Sequence, residues 1–137
     1  MKLFDIFKKK TKPDNEEDLP EEAKRWNQFI EDVCYRDIET LSQIQKNAVL
    51  CFWYDAEMQN GGHSGYFDCY PETLPEELND AIIEVSYKEI ANNYKKALTE
   101  GEKDDYEETD NTYYDFSPSL CECLEEYVEK HKDIIFD

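Results

Sequence analysis

An aromatic run that stops at Asn60-Gly61-Gly62 and restarts at once is the feature that most limits how this chain can fold. Residues 52–59 read Phe52, Trp53, Tyr54, Asp55, Ala56, Glu57, Met58, Gln59, and the aromatic pair Tyr66-Phe67 lies just beyond the glycines. Asn or Gly just past a helix end commonly takes the left-handed conformation that satisfies the last carbonyls. The stretch therefore reads as a helix, a tight stop and a second aromatic helix. Both glycines are expected to need positive φ. Glu57, one turn before the break, is placed to hydrogen-bond the amides of the turn. Glycines beside large rings also let two helices approach closely. Glu57, Asn60, Gly61, Gly62, Tyr66 and Phe67 are thus expected to be a structural motif.

The rest of the chain keeps helical spacing. A first helix is expected from Pro20, with Glu21 and Glu22 at the positive end of its dipole and Trp26, Phe29, Ile30 and Val33 on one face. A second, capped by Ser42, carries Ile44, Ala48, Cys51, Phe52 and Asp55 along one stripe and ends at the glycines. A short third helix runs through Tyr66, Phe67 and Tyr70 to Pro71. Pro75 opens a fourth with Leu78, Ile82 and Val85 in register, and the pattern slips near Ser86. Ser86 with Glu89 reads as the capping box of a fifth, bearing Ile90, Tyr94, Ala97 and Leu98 and ending at Gly101. Residues 102–116 read as an acidic, Tyr-containing loop. Ser117-Pro118 then opens a last helix with Leu120, Leu124, Tyr127 and Val128 facing inward. No segment alternates with a period of two. The expected fold is all-α, a single compact domain of about six helices over residues 18–137.

Residues 1–17 stand apart. Leu3, Phe4, Ile6 and Phe7 precede Lys8, Lys9 and Lys10, and a polar linker follows. This piece reads as a flexible or loosely docked N-terminus, with contact to an anionic lipid surface or a partner as the alternative.

Charge bounds the function. The chain has 15 basic and 34 acidic residues, a formal net of −19. Residues 18–137 hold 10 basic and 30 acidic residues, a net of −20. Such a surface repels nucleic acid and anionic membranes and attracts basic partners. Aromatic residues at 14% and hydrophobic residues at 39% are too many for an acidic disordered tail. There is no secretory signal and no run long enough to span a membrane, so a cytoplasmic location with reduced cysteines is expected. Cys51 and Cys69 read as small core residues. Cys121 and Cys123 lack a second pair at ligand spacing, and on a helix they point about 200° apart. No metal or other cofactor is expected.

A catalytic site is not expected either. Asp55, Glu57, His63 and Asp68 flank the glycine turn, and an acid–base pair needs such groups. Yet Asp55 and Glu57, two apart on a helix, point to different sides. His131 is the only other histidine, and no metalloprotease, phosphate-loop or nucleophile motif is present.

The same residues resemble a family signature. Asp55 and Glu57, Asn60-Gly61-Gly62 and Tyr66-Phe67 are similar to the pattern of the bacterial DNA-mimic protein family. Pro75 to Leu78 opening a helical hairpin, Tyr113-Tyr114 in a late loop, and Leu120, Leu124 and Tyr127 in the closing helix extend the likeness over roughly residues 38–135. His63-Ser64 departs from it, since the family often carries Phe directly after the glycines. The resemblance implies a small all-helical domain and, for some members, DNA mimicry.

The acidic clusters fit a binding module. Glu102, Asp104, Asp105, Glu107, Glu108 and Asp110 crowd one segment, relieved by Lys103. Glu122, Glu125, Glu126 and Glu129 form a stripe on the last helix, and Glu72, Glu76, Glu77 and Asp80 a third cluster. Like charges at i, i+4 cost a few tenths of a kcal/mol each, so folding does not require them. Helical carboxylates ~6 Å apart can imitate phosphates ~7 Å apart. The expected partner is a basic DNA-binding protein. The alternatives are a basic nuclease toxin, neutralised in the manner of an immunity protein, and an uncharacterised scaffold role. Direct nucleic-acid binding and membrane insertion are not expected, and a homodimer is compatible with the sequence.

Overall fold

A computed structural model describes residues 18–137. The expectations for residues 1–17 lie outside the described residues. Eight α-helices and no strand occur among the described residues, where about six helices were expected. They are α1 (Glu21–Glu31), α2 (Gln43–Asn60), α3 (Gly62–Cys69), α4 (Pro75–Val85), α5 (Lys88–Glu100), α6 (Glu107–Asp115), α7 (Leu120–Lys130) and α8 (Lys132–Ile135).

The two additional helices have a common cause. Helix α6 lies where a loop was expected, and only Thr109 and Tyr113 are buried on it. Its Asp, Asn, Thr and Tyr content gives weak propensity, and it has no apolar stripe. Tertiary anchors hold it: Asn93 Nδ2 donates to the Thr109 carbonyl at 2.9 Å, and the Tyr113 and Tyr114 hydroxyls donate to Asp55 Oδ1 and the Met58 carbonyl. Helix α8 is a single turn. The buried amide of Gln45 donates to the Ile135 carbonyl at 3.0 Å.

Helix α2 is the central element and packs against α3, α4, α7 and α8. It is buried on most of its circumference, as expected of a helix surrounded by others. Its start is as read: Ser42 Oγ accepts from Gln45 N at 3.2 Å, and Gln45 Oε1 accepts from Ser42 N at 2.9 Å. The core has two aromatic zones. Trp26 and Phe29 of α1 meet Phe52 of α2. Tyr54 is the hub of the second, ringed edge-on by Tyr66, Tyr94 and Tyr113.

Several local readings are corrected. Ser86 does not cap α5: its hydroxyl donates back to the Ile82 carbonyl at 2.7 Å, and Tyr87 holds the cap position. The cap of α7 is Ser119, boxed with Glu122, rather than Ser117-Pro118. Leu98 is 39% exposed, because the buried face of α5 is fixed by Ile90, Tyr94 and Ala97. Cys69 is exposed beside Glu57, whereas Cys51 is in the core as expected. The five cysteines form no disulfide.

Candidate functional site

The glycine turn is built differently from the expectation. Only Gly62 has positive φ, at 69°, while Gly61 has φ −133°. The turn's amides are not held by the Glu57 carboxylate. Gly61 N donates to the backbone carbonyl of Glu57 at 2.7 Å. His63 N donates to Oδ1 of Asp110 at 3.0 Å, an acid 47 residues away on α6. That carboxylate fills the space a side chain at Gly62 would need, since a Cβ there would lie 2.3 Å from Asp110 Oδ2.

His63 continues the network inward. Its side chain is fully buried, with Nδ1 2.7 Å from Asp110 Oδ1 and Nε2 2.6 Å from the Tyr54 hydroxyl. Asp110, as a carboxylate, can only accept, so Nδ1 carries the proton and Nε2 accepts from Tyr54. Phe67 and Tyr106 stack on the ring. Asp55, also buried, is satisfied by the Tyr113 hydroxyl and by Gln59. Every polar group in the His63 chain thus has a partner, which is what makes its burial tolerable. Neither Tyr54 nor His63 has solvent access.

Burial pushes the His63 pKa below its ordinary value, and Asp110 partly offsets this. The folded state therefore binds fewer protons than the unfolded chain, whose histidine titrates near ~6.5. The contribution to stability is fully present above about pH 6.5 and is lost as pH falls below it, by at most about 1.4 kcal/mol per pH unit. Urea unfolding at pH 7.5, 6.5 and 5.5 should show this loss, and His63→Asn should flatten it. Equal slopes in both proteins would refute the assignment.

The surface acids divide into fixed and engaged groups. Gly101–Asp104 form a 3-10 turn, and Asp105 and Tyr106 follow with φ of 55° and 66°. Two consecutive left-handed non-glycine residues cost about 1–2 kcal/mol each. The Tyr106 ring lies so close over Gly101 that a Cβ there would sit 2.2 Å from it. Asp104 Oδ2 accepts from Glu108 N at 3.0 Å in the first turn of α6, satisfying an amide that a helix start leaves without a partner. Glu102, Asp104, Asp105, Glu107 and Glu108 are exposed on this segment, and Glu108 pairs with Lys96 at 2.7 Å. Glu102, Asp105, Asp68 and Asp110 all lie close enough to Tyr106 to help raise its pKa, after burial as the main cause. Asp68 on α3 thereby joins this face, and Asp110 is turned inward.

The α7 stripe is mostly occupied by the protein itself. Glu122 Oε1 accepts from Ser119 N at 2.9 Å, and Glu125 accepts from the Cys121 thiol at 3.5 Å. Glu129 is held by both Nε and Nη2 of Arg25, at 2.8 and 2.5 Å, which keeps its carboxyl below the usual range. Of the four, Glu126 is exposed and the others are half-buried. In the third cluster, Glu77 pairs with Lys46 at 2.5 Å. Among the described residues no group of three or more His, Cys, Asp or Glu is arranged to hold a metal ion, and no helix is long and apolar enough to cross a membrane.

The role of Asp110, and the Tyr54 and Tyr113 hydroxyls that complete the networks, carried no signal in the sequence. Their partners lie 47, 9 and 58 residues away. A buried histidine next to a glycine that needs positive φ was the available hint.

A family model described as DMP19-like protein matches residues 39–134, within one residue of the stretch marked by the motifs at each end. No curated protein and no solved structure gave a match. The match takes in α2 to α7 and thus both the glycine turn and the acidic segment that Asp110 ties to it. On that coverage the chain belongs to the DMP19-like family.

Proposed function

We propose that this DMP19-like protein is a non-enzymatic, acidic protein-binding module of the cytoplasm. In this reading it occupies the DNA-binding surface of a basic regulator or nucleoid protein in place of duplex DNA. The observation that carries the reading is the fixed geometry of the acidic segment. A mobile backbone would have to be ordered on binding, at a cost of roughly 1–2 kcal/mol per residue. Here the backbone under Glu102, Asp104, Asp105, Glu107 and Glu108 is already held by Asp110, Thr109, Tyr113 and Tyr114. The family and the net charge of −20 over residues 18–137 support the same reading.

The test begins with capture of the partner from native lysate and proceeds to competition. Duplex DNA should displace the protein from that partner, and association should weaken steeply with salt. Changing Asp104 and Asp105 to Asn and Glu107 and Glu108 to Gln should slow association by 10-fold or more, on the order expected when steering charges are lost, with a smaller effect on dissociation. Neutralising Glu122, Glu125 and Glu126 should matter less, because two of these serve internal contacts. Simultaneous occupancy of the partner by DNA and this protein would end the mimic reading and leave a scaffold. Capture of one nuclease, with its cleavage blocked, would instead support the immunity-type alternative.

A further inference from the structure

A second surface is independent of the acidic segment. A groove of about 630 Å³ runs between the turn at Ile38, helix α2 and the α3–α4 connection, with Ile38, Leu50, Tyr70 and Leu74 contributing apolar walls. Leu74 is 59% exposed and Ile38 37%. The apolar surface continues through Trp53, which stacks near Tyr70, to Tyr35, which is 71% exposed against Trp53. Three of the seven exposed large hydrophobic side chains among the described residues, Tyr35, Ile38 and Leu74, therefore belong to one face. Its charged lining is Glu39, Glu72 and Glu77 against Lys46, which Glu77 already pairs. An apolar trough with an acidic rim suits a short segment with apolar anchors followed by cations.

The chain contains such a segment. We propose that Leu3, Phe4, Ile6 and Phe7 dock in this groove of their own chain, with Lys8, Lys9 and Lys10 against Glu39 and Glu72. Complementarity points to this occupant. Residues 1–17 carry five Lys and four acids, a net-positive stretch in a chain otherwise at −20, and Lys8, Lys9 and Lys10 directly follow its apolar residues. The tether is long. Seven residues separate Lys10 from Asp18, and the eight Cα–Cα steps span up to ~26 Å. Helix α1, which leads from Asp18 toward the Ile38 turn, is only ~16 Å long. A tether of this length gives an effective concentration on the order of mM. A segment that would bind only at millimolar concentration as a free peptide is then about half docked.

The experiment uses the full chain, labelled with 15N and 13C. Wild type should show NOEs between the Phe4 or Phe7 rings and the methyls of Ile38, Leu50 or Leu74. The double variant Phe4→Asp/Phe7→Asp should lose them and shift the amides of Ile38, Glu39 and Thr73. Leu74→Asp, a change at an exposed position, should release the N-terminus in the same way. Raising NaCl from 0.05 to about 0.5 M should reduce the docked fraction by two-fold or more, since exposed charges are screened. Random-coil shifts for residues 3–10 in wild type, with no groove response to the double variant, would overturn the proposal. So would NOEs that appear only between labelled and unlabelled chains in a mixed sample, which would assign the groove to a second copy. Neither outcome bears on the acidic segment, so the proposed function stands or falls separately.

Discussion

Gly62→Ala is expected to lower stability by about 3–5 kcal/mol, while Gly61→Ala stays within about 1 kcal/mol of wild type. The two glycines are adjacent but do different work. At Gly62 the left-handed φ of 69° costs any side chain about 1–2 kcal/mol. The new Cβ would also collide with the Asp110 carboxylate, 2.3 Å away. Asp110 would have to withdraw from both His63 N and Nδ1, leaving buried donors unsatisfied at about 1–3 kcal/mol. At Gly61 φ is −133° and the nearest atom would be 3.5 Å away, an ordinary contact. Thermal or urea unfolding of the two single variants decides the matter. For a domain of this size the Gly62 variant should melt roughly 10–20 °C lower. Equal losses in the two variants would mean that the Asp110 contact does not hold the turn.

The second large effect is expected at His63. His63→Ala removes a fully buried ring and orphans the Tyr54 hydroxyl and one side of Asp110. Cavity formation and lost hydrogen bonds together should cost about 3–5 kcal/mol. The loss should be shared with Asp110. His63→Ala and Asp110→Ala should be non-additive by about 1–3 kcal/mol in a double-mutant cycle, because each breaks the same contacts. Additivity within ~0.5 kcal/mol would show that the two residues do not act as a unit. Hydrogen exchange in the His63→Ala variant should rise in Glu107–Asp115, the helix that Asp110 ties to the turn. Exchange confined to α3 would contradict that coupling.

Much of the fold was written in local patterns. Apolar spacing places Trp26, Phe29 and Ile30 on α1, Leu78, Ile82 and Val85 on α4, and Leu120, Leu124 and Tyr127 on α7, and all of these are buried. Ser42 with Gln45 marks the start of α2 because a capping box needs only residues three apart. The stop at Asn60 followed from glycine's access to positive φ. The excess of acid fixed the sign of any partner's charge, whatever the fold.

Tertiary structure decided the rest, wherever a residue's partner lies far along the chain. Helix α6 has no apolar period to announce it, and Asn93, Asp55 and Met58 hold it in place from α5 and α2. Local reading gave Glu57 the turn and left Asp110 on the surface. The carboxylate of Asp110 took the turn from 47 residues away, because Gly62 left room for it beside His63. The four α7 glutamates are equivalent in a helical projection. The local cap at Ser119 takes Glu122, but only the approach of Arg25 from α1 turns Glu129 to internal use, and Glu126 is left exposed. Periodicity and capping depend on neighbours a few residues apart, so sequence suffices for them. Which carboxylates remain free for a partner depends on what the packed helices bring beside them, and the physics of that choice is the satisfaction of buried donors and charges across the fold.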